Sequence, residues 1–282
     1  MLLKRLLPRF STRLLVRRLL WLPIDIWEGL SGRRSRLTPP RGLRFDGGGD
    51  FTVTSESTFR ELQSWVELRP DSSILEIGCG VGRFAVPLTR VLGSHGRYEG
   101  FDIVEAGIHW CRRAISPRFP NFRFTHSDIF NKHYNPDGKA LPEHWRFPYA
   151  DASFDLVVAV SVFTHMTPEA VEHYLAETAR VLRPEGKLIA SFFILDEESR
   201  AMIRQDLAMV ALVHPFGTAA VLDPDFPETA IGHDLTSLAA CCERVGLSME
   251  VVHGEWRHSK HFRSTHDYLL ATHKRPAVYA TA

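Results

Sequence analysis

Between residues 73 and 194, short apolar runs alternate with stretches whose apolar positions recur every three or four residues. The runs at 73–78, 97–102, 121–125, 154–161 and 187–194 predict strands, and the stretches at 83–92, 104–115 and 169–182 predict helices. Such alternation implies parallel strands joined by right-handed helical crossovers. Phe154 to Val160 is apolar on both faces, as a central strand covered by helices must be. Thr167-Pro168-Glu169 supplies a cap and a first-turn proline for the helix that follows. A helix over Ser57–Glu67 leads into the first strand. A helix over Leu235–Val245 and strands at Ser248–Val252 and His266–Ala271 close the pattern.

The first run ends in Glu76-Ile77-Gly78-Cys79-Gly80-Val81-Gly82, with glycine at every second position and helical periodicity directly behind it. This predicts a buried strand, a turn too crowded for side chains, and bare helix N-terminal amides that attract an anion. The second run ends in Gly100-Phe101-Asp102, an acid twenty residues after Gly82. A carboxylate there can accept both hydroxyls of a ribose lying across the strand ends. The spacing is Gly-x-Gly-x-Gly, not the Gly-x-Gly-x-x-Gly of dinucleotide binders.

On these residues the chain resembles the class I S-adenosylmethionine-dependent methyltransferases, whose first motif is an acid, one residue, then Gly-x-Gly-x-Gly. The likeness runs from about Phe51 to about His273. It takes in Phe124-Thr125-His126-Ser127-Asp128-Ile129, the run Phe147 to Asp155, and the turn Arg180-Val181-Leu182-Arg183-Pro184-Glu185-Gly186, where Glu185 stands in place of a glycine. The resemblance implies an α/β fold: a Rossmann-like three-layer sandwich with a seven-stranded, mostly parallel sheet and an antiparallel C-terminal hairpin. It also implies S-adenosylmethionine as cofactor. Backbone around Gly78, Cys79 and Gly80 would hold the methionine end, Glu76 would orient the amine, and Asp102 would take the ribose diol. Ile103 and Ile129 would pack on the adenine, Asp128 would accept from its amino group, and Ser161 would complete the set.

Methyl transfer then needs chiefly alignment and exclusion of water. A hydroxyl acceptor also loses a proton, and His165, in the loop after the fourth strand, is the first choice of general base. The competing reading is a histidine that braces the next helix. The acceptor, a small molecule, glycan or lipid, falls to parts outside the common sheet: Gly47–Phe51, Phe130–Arg146 and His214–His233. The last two are long for plain connectors. An NAD-dependent oxidoreductase and a noncatalytic cofactor-binding partner are the alternatives to a transferase acting on oxygen or nitrogen.

Composition changes this picture at one end only. The net charge of the 282 residues is +1, but residues 1–44 hold eleven Lys or Arg against Asp25 and Glu28, which leaves the rest acidic. An acidic body argues against nucleic acid as the substrate. Leu2, Leu3, Leu6, Leu7, Phe10 and Leu14 fall at helical spacing among basic residues. Residues 1–22 therefore form a basic amphipathic segment suited to peripheral contact with an anionic membrane. No apolar run spans a bilayer and no clean secretory signal is present. The expected organisation is a basic arm and linker over 1–50, a methyltransferase domain over 51–275 with a cap insertion near 196–233, and a tail over 276–282. The expected location is the cytoplasm, peripheral to the inner membrane face if the arm binds lipid. Cys79, Cys111, Cys241 and Cys242 form no Cys-x-x-Cys pair, which fits a reducing compartment. His253, His258, His261 and His266 match no familiar ligand spacing, and 249–266 reads as a solvated hairpin loop, so no metal site is expected.

Overall fold

A computed structural model describes residues 9–45, 48–258 and 266–274. Leu2 to Leu7, His261 and the tail 276–282 lie outside the described residues. The chain forms two compact units that divide between Trp145 and Arg146.

In the first unit, β1 (Ser73–Ile77), β2 (Arg97–Asp102) and β3 (Phe122–His126) are parallel in the order β3-β2-β1. All of β1 is buried, Ser73 and Glu76 included. Four helices accompany these strands: α1 (Phe10–Leu30), α2 (Phe51–Gln63), the single turn α3 (Ala85–Leu88) and α4 (Glu105–Ala114). The helix expected over 83–92 contracts to α3, and the one expected at Ser57 begins six residues earlier, where the Asp50 side chain caps Val53 N at 3.0 Å.

Part of the basic arm lies among the described residues, as α1. Phe10 meets Phe45 and Tyr134 edge-on at 5.7 and 5.1 Å, and Leu14 is buried, so that side of α1 faces protein rather than lipid. The only two acids of the segment face inward as well. Asp25 accepts from Arg41 N at 2.6 Å, Gly42 N at 3.0 Å and Arg34 Nη1 at 3.1 Å; Glu28 accepts from Arg41 Nε at 2.8 Å. Gly42 is required by this closure, because a Cβ there would stand 2.8 Å from the Arg18 Cα. The residues after α1 are thus clamped to it rather than trailing as a linker.

In the second unit, β4 (Phe154–Ala159) runs parallel to β5 (Leu182–Leu195), with α5 (Pro168–Val181) between them in sequence. Thr167 and Pro168 start α5 as expected, the Thr167 hydroxyl accepting from Ala170 N. The remaining helices are α6 (Glu197–Arg204) and α7 (Leu235–Arg244). Five more strands follow β5: β6 (His214–Phe216), β7 (Ala219–Val221), β8 (Ile231–Asp234), β9 (Leu247–Val252) and β10 (Asp267–His273). The edge of β5 serves two partners in turn. Residues 187–192 pair antiparallel with β10, which pairs antiparallel with β9; residues 193–195 pair parallel with β8, which continues to β7 and β6. The mixed α/β class, the parallel pairings among β1, β2 and β3 and between β4 and β5, and the C-terminal hairpin are as the sequence implies. The strand count is not: the described residues form ten strands rather than seven, the additional three being β6, β7 and β8 inside the presumed cap.

Arg180 gives the Arg-Val-Leu turn a structural duty. Its guanidinium donates to Tyr149 O (2.8 Å), Phe147 O (3.0 Å) and Glu177 Oε2 (2.6 Å), and Phe147 N donates to the same Glu177 oxygen at 2.7 Å. The segment entering β4 is therefore pinned to the end of α5.

Candidate active site

Gly78, Gly80 and Gly82 have φ of 72°, 53° and 82°, a region in which any other residue is strained. Gly82 is also sterically closed: a Cβ would stand 2.8 Å from Ile115 Cδ1. The amides of this loop are not bare, which revises the expectation. Gly78 N and Cys79 N both donate to Phe101 O, at 2.8 and 3.1 Å, and Gly80 N donates to Asp102 Oδ2 at 2.8 Å. The loop is thereby folded down onto the end of β2.

Asp102 joins the two expected halves of the site. Its other oxygen accepts from Val104 N at 2.7 Å, so the buried carboxylate both caps α4 and anchors the loop. A carboxylate offers about four acceptor positions, so these bonds are compatible with accepting a diol. Close approach of α4 to the loop requires Gly107, where a Cβ would lie 2.4 Å from Gly80 O. Glu76 is not a solvated strand end: it is buried in β1 and accepts a hydrogen bond from Tyr98 Oη. Burial drives the Tyr98 phenol and the Cys79 thiol well above their ordinary pKa ranges, so Cys79 is an inert small side chain here.

At the end of β3, Ser127 N donates to Asp102 O at 3.0 Å, which brings the third strand's terminal residues beside the second's. Asp128 is partly exposed and accepts from Asn135 Nδ2 at 3.2 Å, while its carbonyl accepts from Lys139 N and Ala140 N, both at 3.0 Å. Ile129 is buried, and Ile103 is partly exposed with its carbonyl 3.3 Å from His126 Nε2. The Ser127 hydroxyl is buried with no hydrogen-bond partner in the structure. Glu76, the three loop residues, Asp102, Ile103, Asp128 and Ile129 all belong to the first unit. An acid at the end of β2, an orphaned hydroxyl and a partly exposed acid at the end of β3, and a glycine loop are a donor and acceptor set that fits an adenosine bearing an amino-acid tail.

Ser161 and His165 belong to the second unit. Ser161 is exposed with φ of 56°, unusual for a residue other than glycine, and its N–H donates to the buried Ser191 hydroxyl at 2.6 Å. Backbone strain held in place this way is concentrated at functional positions. His165 lies in the 3-10 turn Phe163–His165, with Nδ1 2.9 Å from Glu228 O. A carbonyl only accepts, so Nδ1 carries a proton and donates it to Glu228 O. The base and brace readings of His165 thus rest on the two different nitrogens of one ring.

Two further histidines flank this turn. His233 Nε2 lies 3.0 Å from Phe163 O, and burial lowers its pKa to about 4. His266 packs 4.9 Å from the Phe193 ring, and burial together with His165 lowers it likewise to about 4. Both are neutral in the folded chain, whereas the unfolded chain protonates them below about pH 6.5. Their contribution to stability is complete above that value and is lost as pH falls toward 4, by about 3 kcal/mol for the fully buried His233. Thermal melts between pH 7 and 4.5 should show this loss, and His233→Gln should flatten it; equal slopes in both proteins would count against the assignment.

Sequence reasoning missed Ser127, Ser191, Gly107 and Arg180 as parts of this framework. Only Arg180 carried a visible signal, since it sits in the turn motif. His253 and His258 are half-exposed, as expected, but Trp256 and Arg257 between them are fully buried, which overturns the reading of 249–266 as a solvated loop.

Comparison with known proteins agrees with this geometry. Residues 74–186 match the model of a methyltransferase domain. The chain is 31% identical over 151 residues to a phthiotriol/phenolphthiotriol dimycocerosates methyltransferase of Mycobacterium ulcerans, covering 54% of this chain and 48% of that protein. It is 30% identical to the 27-O-demethylrifamycin SV methyltransferase of Amycolatopsis mediterranei, covering 52% and 48%. The chain thus spans about half the length of the curated relatives it matches. Among solved structures, magnesium protoporphyrin IX methyltransferase from Synechocystis superposes with a TM-score of 0.52 at 16% identity, over 90% of this chain and 99% of that one. A Pyrococcus horikoshii protein gives 0.54 at 19% identity, over 81% and 93%. At such identities these two likenesses establish the fold. Residues 74–186, with their glycine loop closed on Asp102, are thus a methyltransferase domain of the class I S-adenosylmethionine-dependent type.

Proposed function

We propose that the protein moves a methyl group from S-adenosylmethionine to an oxygen or nitrogen of a small-molecule, sugar or lipid-like acceptor, with a hydroxyl on a largely apolar molecule the best fit. The observation that carries the cofactor half is the hydrogen bond from Gly80 N to Asp102 Oδ2, which places the glycine loop and the ribose acid in one construction. The orphaned Ser127 hydroxyl supports it, because a buried polar group without a partner is costly unless a ligand pairs it.

In this reading Asp102 accepts the ribose hydroxyls, Ile103 and Ile129 flank the adenine, Asp128 accepts from its amino group, and the backbone of Gly78, Cys79 and Gly80 with Glu76 holds the amino-acid tail. Ser161, held in its strained backbone turn, completes the cofactor set. The bound sulfonium supplies a methyl that is already activated. His165 Nε2 takes the acceptor's hydroxyl proton as the new oxygen–carbon bond forms, and the electrons of the broken carbon–sulfur bond remain on sulfur. Residues 51–275 form the catalytic domain and 196–233 its cap. Two relatives are named for hydroxyl-bearing natural products, phthiotriol dimycocerosates and the 27-O position of a rifamycin, which favours oxygen in a bulky acceptor.

Asp102→Ala should weaken S-adenosylhomocysteine binding by about 1–3 kcal/mol, the cost of leaving buried hydroxyls unpaired. Isothermal titration reads this directly, and unchanged affinity would remove Asp102 from the site. The acceptor half is tested by incubating the protein with methyl-labelled cofactor and a lipid extract, then identifying the labelled product; label confined to nucleic acid or protein would overturn it.

A further inference from the structure

We infer that α1 docks in the plane of an anionic lipid surface through a face different from the one its first residues suggest. Leu15, Leu19, Leu22, Ile26 and Leu30 recur every three or four residues and form one stripe along α1, and all are exposed, Leu19 at 60% and Leu30 at 86%. The helix is therefore inverted relative to a surface helix of a water-soluble domain. Its carboxylates Asp25 and Glu28 are turned inward and its leucines outward. An exposed apolar stripe of this length marks an interaction site rather than ordinary surface.

Charge selects the occupant. Among residues 9–45 the only acids are Asp25 and Glu28, and both are buried and engaged by Arg34, Arg41 and Gly42. The outer surface of this segment thus carries arginines and no carboxylate of its own, although Arg9 pairs with Asp137 at 3.4 Å. Arg18 is exposed beside the stripe, and Arg33 lies 4.4 Å over the half-exposed Trp27 ring. Apolar residues flanked by guanidinium groups and an interfacial tryptophan match the boundary between acyl chains and anionic headgroups. No helix of the described residues is long and apolar enough to cross a membrane, and α1 carries Pro23 and its buried acids, so it lies along the surface rather than spanning it. At about 1.5 Å per residue the helix offers roughly 30 Å of contact. The inference stands apart from the identity of the acceptor and from the cofactor site.

The test is flotation of the full chain with vesicles of phosphatidylcholine alone or mixed with phosphatidylglycerol. Binding is expected only to the mixed vesicles and should fall with added salt. Leu19→Glu and Ile26→Glu, both at exposed positions, should each lower the bound fraction about fivefold or more while leaving the melting temperature unchanged. Arg18→Gln should lower it less. A blue shift of tryptophan emission on binding should disappear in Trp27→Phe. Equal binding to neutral vesicles, no binding to either, or a concentration-dependent dimer that Leu19→Glu dissociates would each overturn the inference, the last by giving the stripe to a second copy of the chain.

Discussion

Asp267→Ala is expected to be the most destabilising single substitution away from the proposed active site, by about 3–5 kcal/mol. Asp267 is fully buried at the start of β10, and each of its oxygens accepts two bonds. Oδ1 takes Gly254 N at 2.8 Å and Arg257 Nη2 at 2.9 Å; Oδ2 takes Trp256 Nε1 at 2.7 Å and Ile194 N at 2.9 Å. Arg257 is itself fully buried and bonds Asp196 Oδ2 at 2.8 Å through Nη1. One carboxylate thus fixes the C-terminal end of β5, the turn Glu255–Arg257 and, through Arg257, the cap of α6 together. Truncation leaves three buried N–H donors unpaired and a guanidinium deprived of its most buried counter-charge. For a unit of this size the midpoint of thermal unfolding should fall on the order of 10 °C. Asp267→Asn keeps the shape but not the charge and should fall between the two. A melt of Asp267→Ala within a degree of the parent would show that the network contributes little.

His165→Ala is expected to lower turnover by about 10²–10⁴-fold, the usual worth of a positioned general base. The same ring holds Glu228 O through Nδ1, so a loss of rate alone would not separate chemistry from bracing. His165→Asn does separate them. Its side-chain amide can replace the Nδ1–H donor to Glu228, yet offers no basic nitrogen where Nε2 stood. Turnover should stay low in His165→Asn while S-adenosylhomocysteine affinity remains near that of the parent. Recovery of turnover in His165→Asn, or parallel losses of rate and affinity in both variants, would make His165 a brace.

The parts of this protein that were legible in sequence are those in which one residue's own backbone or charge states the requirement. Three left-handed turns in five residues admit only glycine, so Gly78, Gly80 and Gly82 announce the loop. Asp102 was legible because an acid ends the second strand twenty residues after Gly82. Gly100 and Gly107 were not, since their demand comes from neighbours: a Cβ at Gly100 would stand 2.9 Å from Cys79 Cβ, and one at Gly107 would meet Gly80 O. The His165–Glu228 and Asp267–Ile194 contacts join positions 63 and 73 residues apart, beyond any local pattern. Strands β6 and β7 are three residues each, too short for alternation to show. Helical spacing identifies an apolar face, but on α1 it fits two faces, and only the inward bonds of Asp25 and Glu28 decide which one is buried.

The central claim is that the glycine loop and Asp102 together form the seat of an adenosine sulfonium. A crystal of the full chain grown with S-adenosylhomocysteine tests it most directly. The account predicts ribose hydroxyls on the Asp102 carboxylate, the adenine against Ile103 and the amino-acid tail over Gly78–Gly80. Density for the ligand elsewhere, or clear density for the loop with no ligand at saturating concentration, would contradict it.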